Sequence, residues 1–193
     1  MGKYLLAAVA GISMSAIATS ALAIGPAGLA RPAPSQLNIT VQKATLAPLA
    51  YVKFCVSHKD DCEKGSGEAR VDLTPKLRRE LRQVNFQINR TIEPVNDVPG
   101  QDSWDADVAS GDCEDYVLTK RKRLIELGWS PNALRIAVTY TADNTGHAVL
   151  VVSTTKGDLV LDNRHNAVLD WRDTDLRWVK IQSPDNPLKW NEI

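Results

Sequence analysis

The sequence lacks an excess of charge of either sign: 23 Lys and Arg residues face 23 Asp and Glu residues. Without a basic surplus, nothing points to nucleic acid or an anionic membrane surface as partner. No internal repeat is visible. Cysteine is scarce, at three residues, and the first, Cys55, lies too far from the N-terminus to carry a lipid after processing. Beyond the first thirty residues no long apolar run remains, so no stable membrane anchor is expected there.

The start of the chain carries an export signal. Lys3 gives a short positive start, Tyr4 to Ala18 is almost wholly apolar or small, and Ala21-Leu22-Ala23 has the small-x-small form of a cleavage site. Residues 1–23 are therefore read as a signal peptide and set aside from the fold. A transmembrane helix over Tyr4 to Ala30 is the alternative, but Ser, Thr and Gly interrupt it and no basic cluster follows at once. Cleavage after Ala30 is a second option. The remaining chain of about 170 residues suffices for one domain with a sizeable core. We divide it into an extended lead rich in Ala, Pro and Gly (residues 24–50) and a single domain (residues 51–193).

Export implies an oxidising compartment, in which cysteines pair. Cys55 and Cys62 lie in one polar segment and can close an eight-residue loop. Cys113 is left over. An odd thiol in an exported protein is an intermolecular bridge, a buried inert residue or a reactive group.

The segment 51–68 is polar and is expected to hold little regular structure. Thr74-Pro75 opens a helix, with Thr as N-cap and Pro at the first position. Leu73, Leu77, Leu81, Val84, Ile88 and Ile92 make its apolar stripe, which ends before Pro94. Asn85 and Asn89 share a neighbouring face and are candidates to bond the loop that follows. Residues 94–112 read as an acidic loop with Trp104 as its apolar anchor. A second helix runs from Cys113 to Leu127, stopped by Gly128. The period then changes to two. Leu134 to Tyr140, His147 to Thr154, Asp158 to Asp162 and Arg177 to Ser183 are strand candidates. Helices followed by an antiparallel sheet make an α+β plan.

Gly111-Asp112-Cys113-Glu114-Asp115-Tyr116 carries the chemistry. A cysteine in the first turn of a helix sees unpaired N–H groups and the positive end of the dipole, which favour thiolate, the nucleophile. Gly111 allows close approach of a substrate carbonyl. The flanking acids oppose the thiolate, so an imidazolium nearby is required. His147 begins a strand, whereas His165 lies in a polar loop and His58 in the cysteine segment. A strand-anchored group is held better, which favours His147. If Thr154 to Gly157 form a hairpin loop, Ser153 faces Asp158 and Val149 faces Asp162. His147 is then diagonal to Asp162, about 7–8 Å away at the backbone and within reach of a hydrogen bond. One extra loop residue would put Asp162 on the other face. Asp162 would fix the imidazole tautomer and stabilise its cation.

With Gly146-His-Ala-Val-Leu150 and Gly157-Asp-Leu-Val-Leu-Asp-Asn163, this stretch resembles the bacterial transglutaminase-like cysteine proteinase family. The Asn85/Asn89 helix, the Trp104 loop and Leu127-Gly-Trp-Ser-Pro131 resemble it too, so the likeness covers roughly residues 50–183. It implies a papain-like, transglutaminase-like core and a Cys-His-Asp triad on Cys113, His147 and Asp162. The chemistry itself needs no cofactor. The branch of periplasmic adhesin-releasing proteases binds calcium through acids beside the cysteine, which implies calcium at Asp112 and Glu114. Asp102, Asp105, Asp107, Asp112, Glu114 and Asp115 crowd that loop with hard oxygen ligands. The branch also implies a protein or peptide substrate, such as a cell-surface protein, and the periplasm of a Gram-negative bacterium. Trp129, Trp171, Trp178 and Trp190 are candidates for a groove, although packing is the commoner fate of Trp.

Three functions stay open at this level. The first is a cysteine peptidase. The second is an acyl transferase or cell-wall amidase with the same triad. The third is a calcium-responsive binding module whose cysteine is structural.

Overall fold

The structure is a computed structural model that describes residues 36–98 and 100–193. The signal segment, residues 1–23, lies outside the described residues. The elements follow the α+β order. Helices are α1 (Leu49–Ser57), α2 (Pro75–Thr91) and α3 (Cys113–Glu126). Strands are β1 (Ala44–Thr45), β2 (Glu93–Pro94), β3 (Ser110–Gly111), β4 (Leu134–Tyr140), β5 (Gly146–Thr154), β6 (Gly157–Leu161), β7 (Leu169–Asp170), β8 (Arg177–Ser183) and β9 (Asn186–Glu192). Seven of them form one antiparallel sheet in the order β1-β9-β8-β4-β5-β6-β7. The short parallel pair of β2 and β3 brings the two ends of the acidic loop together beside the start of α3.

Burial on both faces explains why β5 reads as an unbroken apolar run. Ala148, Leu150 and Val152 pack with Leu81, Val84, Val117 and Leu124 of α2 and α3. Val149 and Val151 face the other side with Val160, Ile181, Ile39 and Leu176. The cover on that side comes partly from the lead. Asp158 accepts from Asn38 Nδ2 (2.7 Å) and from the Ile39 N–H (2.8 Å), so residues expected to run as a loose lead are pinned to the sheet.

The β5–β6 register agrees with the sequence reading: Ser153 pairs with Asp158, and Leu150 with Leu161. Thr154 and Gly157 pair as well, so the turn itself is tighter, with Thr155 and Lys156 at its tip. The Thr74 side chain accepts from the Leu77 N–H and caps α2. Gly128 takes a φ of 90° just past α3, which suits a residue without Cβ.

Besides the two-residue strands β1, β2, β3 and β7, two longer elements depart from the sequence reading. Segment 51–68 was expected to be irregular, yet α1 fills its first part. Ala50, Tyr51, Phe54 and Cys55 form a buried stripe, and Tyr51 packs edge-on against Trp104 (5.5 Å) and Trp190 (5.7 Å). Nine residues are too few for a helix to form on propensity, so this packing holds it. The Cys55–Cys62 disulfide ties its end to the next turn. Strand β9 is the second departure. Pro187 and the polar Asn, Lys and Glu of this segment disguise a strand whose Trp190 is fully buried.

Candidate active site

The elements deliver Cys113 and His147 to one cleft, with Asp162 buried behind His147. Helix α3 begins at Cys113, with Asp112 as N-cap. Asp115 closes half of a capping box on Asp112, whose N–H donates to Asp115 Oδ2 at 3.1 Å. Gly111 makes room for this box: a Cβ there would lie 2.0 Å from Asp115 Oδ2. The glycine thus serves the cap, in addition to the open approach expected from the sequence.

His147 and Asp162 meet as their strand register dictates. His147 Nε2 lies 2.9 Å from Asp162 Oδ1, and both side chains are buried. Burial alone would raise the Asp162 carboxyl. The hydrogen bond and charge of His147, with the Arg164 contacts, outweigh it and hold Asp162 well below the usual carboxylate range. Asn85 and Asn89 bond a different loop from the one expected. Asn89 Nδ2 donates to the Asp162 carbonyl (3.0 Å), and both asparagines donate to the His165 carbonyl (3.0 and 2.8 Å). They fix the backbone that carries Asp162.

Cys113 is free and half-buried. The Ala148 N–H donates to its Sγ at 3.3 Å, which sets the sulfur beside the residue that follows His147. The thiol donates to Glu114 Oε2 at 2.7 Å. Burial, and then the Glu114 charge, push the Cys113 thiol up from its ordinary value. This reverses the thiolate-favouring effect expected from the helix tip. The physical reason is that acidic neighbours and loss of solvent outweigh partial charges of the helix end. Glu114 is pushed up to about 8, first by burial and then by the Asp112 charge. Asp115 is pushed up to about 6, chiefly by burial.

Of the six acids in the loop, only Asp112 and Glu114 converge with Cys113, their ligand atoms lying within 4.8 Å of one another. Asp102 accepts from Trp104 Nε1, Asp105 from the Ser103 hydroxyl, and Asp107 pairs with Lys122. Asp112 Oδ1 is buried with no hydrogen-bond partner among the described residues. An orphaned carboxylate oxygen beside a second carboxylate forced towards its neutral form fits a hard cation such as calcium.

Cys113, His147, Glu114, Asp112 and Arg164 line one cleft of about 670 Å³, within the range of ligand sites. Trp104 lines the adjoining cleft on the far side of Cys113 and His147. Trp129 and Trp190 are core residues, and Trp171 and Trp178 pack edge-on together. His58 stacks on Phe54 (4.5 Å), away from the cleft.

Sequence reasoning missed two residues near the centre. Arg164 was two positions beyond Asp162 in a polar loop, and only the fold shows its side chain turning back. Lys120 is completely buried, its Nζ without a hydrogen bond among the described residues and 5.8 Å from the Tyr116 ring centre. Its signal was readable: positions 113, 117, 120 and 124 recur on one helical stripe.

The bacterial transglutaminase-like cysteine proteinase family matches the sequence over residues 41–193. Among solved structures, calcium-bound LapG of Legionella pneumophila matches with 26% identity and a TM-score of 0.51, over 57% of this chain and 66% of that chain. EGTA-treated LapG gives 27%, 0.48, 53% and 61%, and a further LapG structure 27%, 0.48, 53% and 63%, in the same order. The chain thus spans slightly under two thirds of the length of LapG. No match to a curated protein sequence was found.

Proposed function

The chain belongs to the bacterial transglutaminase-like cysteine proteinase family, and on that premise we propose that it is an exported cysteine peptidase acting through Cys113, His147 and Asp162. The observation that carries this reading is the buried 2.9 Å pair of His147 and Asp162, whose histidine shares a cleft with a free cysteine at a helix start.

His147 takes the Cys113 proton, and Sγ attacks the substrate carbonyl to form a carbon–sulfur bond. Collapse of the tetrahedral intermediate breaks the carbon–nitrogen bond, and the imidazolium gives its proton to the leaving amine. Water, deprotonated by His147, then cleaves the thioester and returns the thiol. Asp162 keeps the imidazole in its tautomer and stabilises its cation. Backbone N–H groups near Cys113, with the amide of Asn96 in the same cleft, serve the oxyanion.

Asp112 and Glu114 would hold calcium. The ion would supply positive charge beside Cys113 and occupy the carboxylate that now accepts the thiol proton. The calcium-bound state of LapG supports this reading. The substrate is a protein, at the cell surface by likeness to the adhesin-releasing branch, and the compartment is the periplasm. No helix among the described residues is long and apolar enough to cross a membrane.

One observation favours a second reading, a calcium-responsive binding module: burial and Glu114 push the Cys113 thiol up. Iodoacetamide labelling of Cys113 separates the two, with calcium or chelator, in wild type and His147→Ala. Labelling below pH 8 that needs calcium and falls in the variant supports the peptidase. Labelling indifferent to both would leave the binding module.

A further inference from the structure

We propose that Arg164 is a positioning residue for the His147–Asp162 pair, committing one carboxylate oxygen to the imidazole by closing on the other. The contacts divide cleanly between the two oxygens. Asp162 Oδ1 accepts from His147 Nε2 (2.9 Å) and from the Arg164 backbone N–H (2.8 Å). Oδ2 accepts from Arg164 Nε (3.1 Å) and Nη2 (3.0 Å). The terminal torsion of an aspartate is broad, so donors that both meet Oδ1 leave the carboxylate plane free to tilt about that oxygen. The rigid guanidinium fork fixes that plane.

Arg164 is itself held from the other side. Nη2 lies 2.7 Å from Asp175 Oδ1, and Nη1 lies 3.3 Å from Asp175 Oδ2, just ahead of β8. Asp175 is half-exposed, so this outer pair by itself contributes little. The inner carboxylate is only 4% exposed, so bulk water has little access to replace a lost donor. The backbone of Asp162 is anchored separately by Asn89. Removing the Arg164 side chain therefore frees the carboxylate plane without releasing the loop.

The proposal rests on the triad reading for its kinetic arm only. The test uses the full-length mature protein with Arg164→Gln, Arg164→Lys and Asp175→Asn. The first readout is the downfield proton NMR signal of the His147 ring N–H bonded to Asp162, assigned by its loss in His147→Ala. The second is the rate of Cys113 alkylation by iodoacetamide. The expected result for Arg164→Gln is loss of the signal with circular dichroism unchanged, and alkylation slowed about 10- to 100-fold, the usual scale for a partner that orients an active group. Arg164→Lys recovers part of both, and Asp175→Asn stays within about twofold of wild type. A sharp signal and unchanged alkylation in Arg164→Gln overturn the proposal and leave a surface ion pair. If Arg164→Gln fails to fold, Arg164→Lys decides: a weakened signal supports the proposal and an undiminished one overturns it. The signal reports the imidazole–carboxylate bond itself, so it decides the matter even where the chain cleaves no peptide.

Discussion

The two walls of the cleft are built on opposite terms. On the sheet side, Asp162 has both oxygens occupied, by His147 and by Arg164, and its carboxyl is held low. On the helix side, Asp112 keeps a buried oxygen without a partner, Glu114 is pushed up to about 8, and the thiol is spent on a carboxylate. The chain by itself completes the pair proposed as the base. It leaves the proposed nucleophile beside two crowded carboxyl groups, which a cation bound there would relieve. One wall is thus organised by folding alone, whereas the other keeps carboxyl groups without the donors that would balance them.

The largest effects are expected where a member of either wall is removed. Cys113→Ala or His147→Ala should abolish peptide hydrolysis, and Asp162→Asn should lower kcat by about 10⁴-fold, measured on an unfolded protein substrate with calcium. The two walls should next respond differently to chelation. Removing calcium should slow Cys113 alkylation by about tenfold or more, while the His147–Asp162 proton signal persists. Glu114→Gln should lose calcium affinity, by titration calorimetry, yet keep that signal.

Lys120 sharpens the contrast from beneath. Burial pushes its amine down to about 7, although the Asp162 charge opposes this. The unfolded chain holds that proton up to about pH 10, so it binds more protons than the folded protein between about pH 7 and 10. Stability therefore rises with pH across that window. Lys120→Met should raise the unfolding free energy by about 1–4 kcal/mol at neutral pH and flatten the rise, as denaturant titrations at several pH values would read. The smallest effect is expected at the cap. Gly111→Ala should displace Asp115 and cost about 1–2 kcal/mol, seen as a lower Tm.

Much of the site was legible because its signals are local. Cys113 at a helix start follows from Gly111-Asp112 and the apolar spacing behind it. His147 and Asp162 follow from a period of two and one short turn, since register alone decides which residues share a face. Helix α1 and strand β9 were not legible. Their stability comes from Tyr51, Trp104 and Trp190 meeting from distant parts of the chain, and no local pattern records such a meeting. The loop partner of Asn85 and Asn89 was misjudged for the same reason: about eighty residues separate donor from acceptor.

The sequence by itself determined the α+β order, the two main helices, the β5–β6 register and the family. Each depends on periodicity or on residues close together in the chain. Only the tertiary structure decided the electrostatics. It buried the thiol beside Glu114, left one Asp112 oxygen without a partner among the described residues, put Lys120 in the core and turned Arg164 back on Asp162. Charge interactions depend on separation and on access of water, and both are fixed only when remote segments pack together.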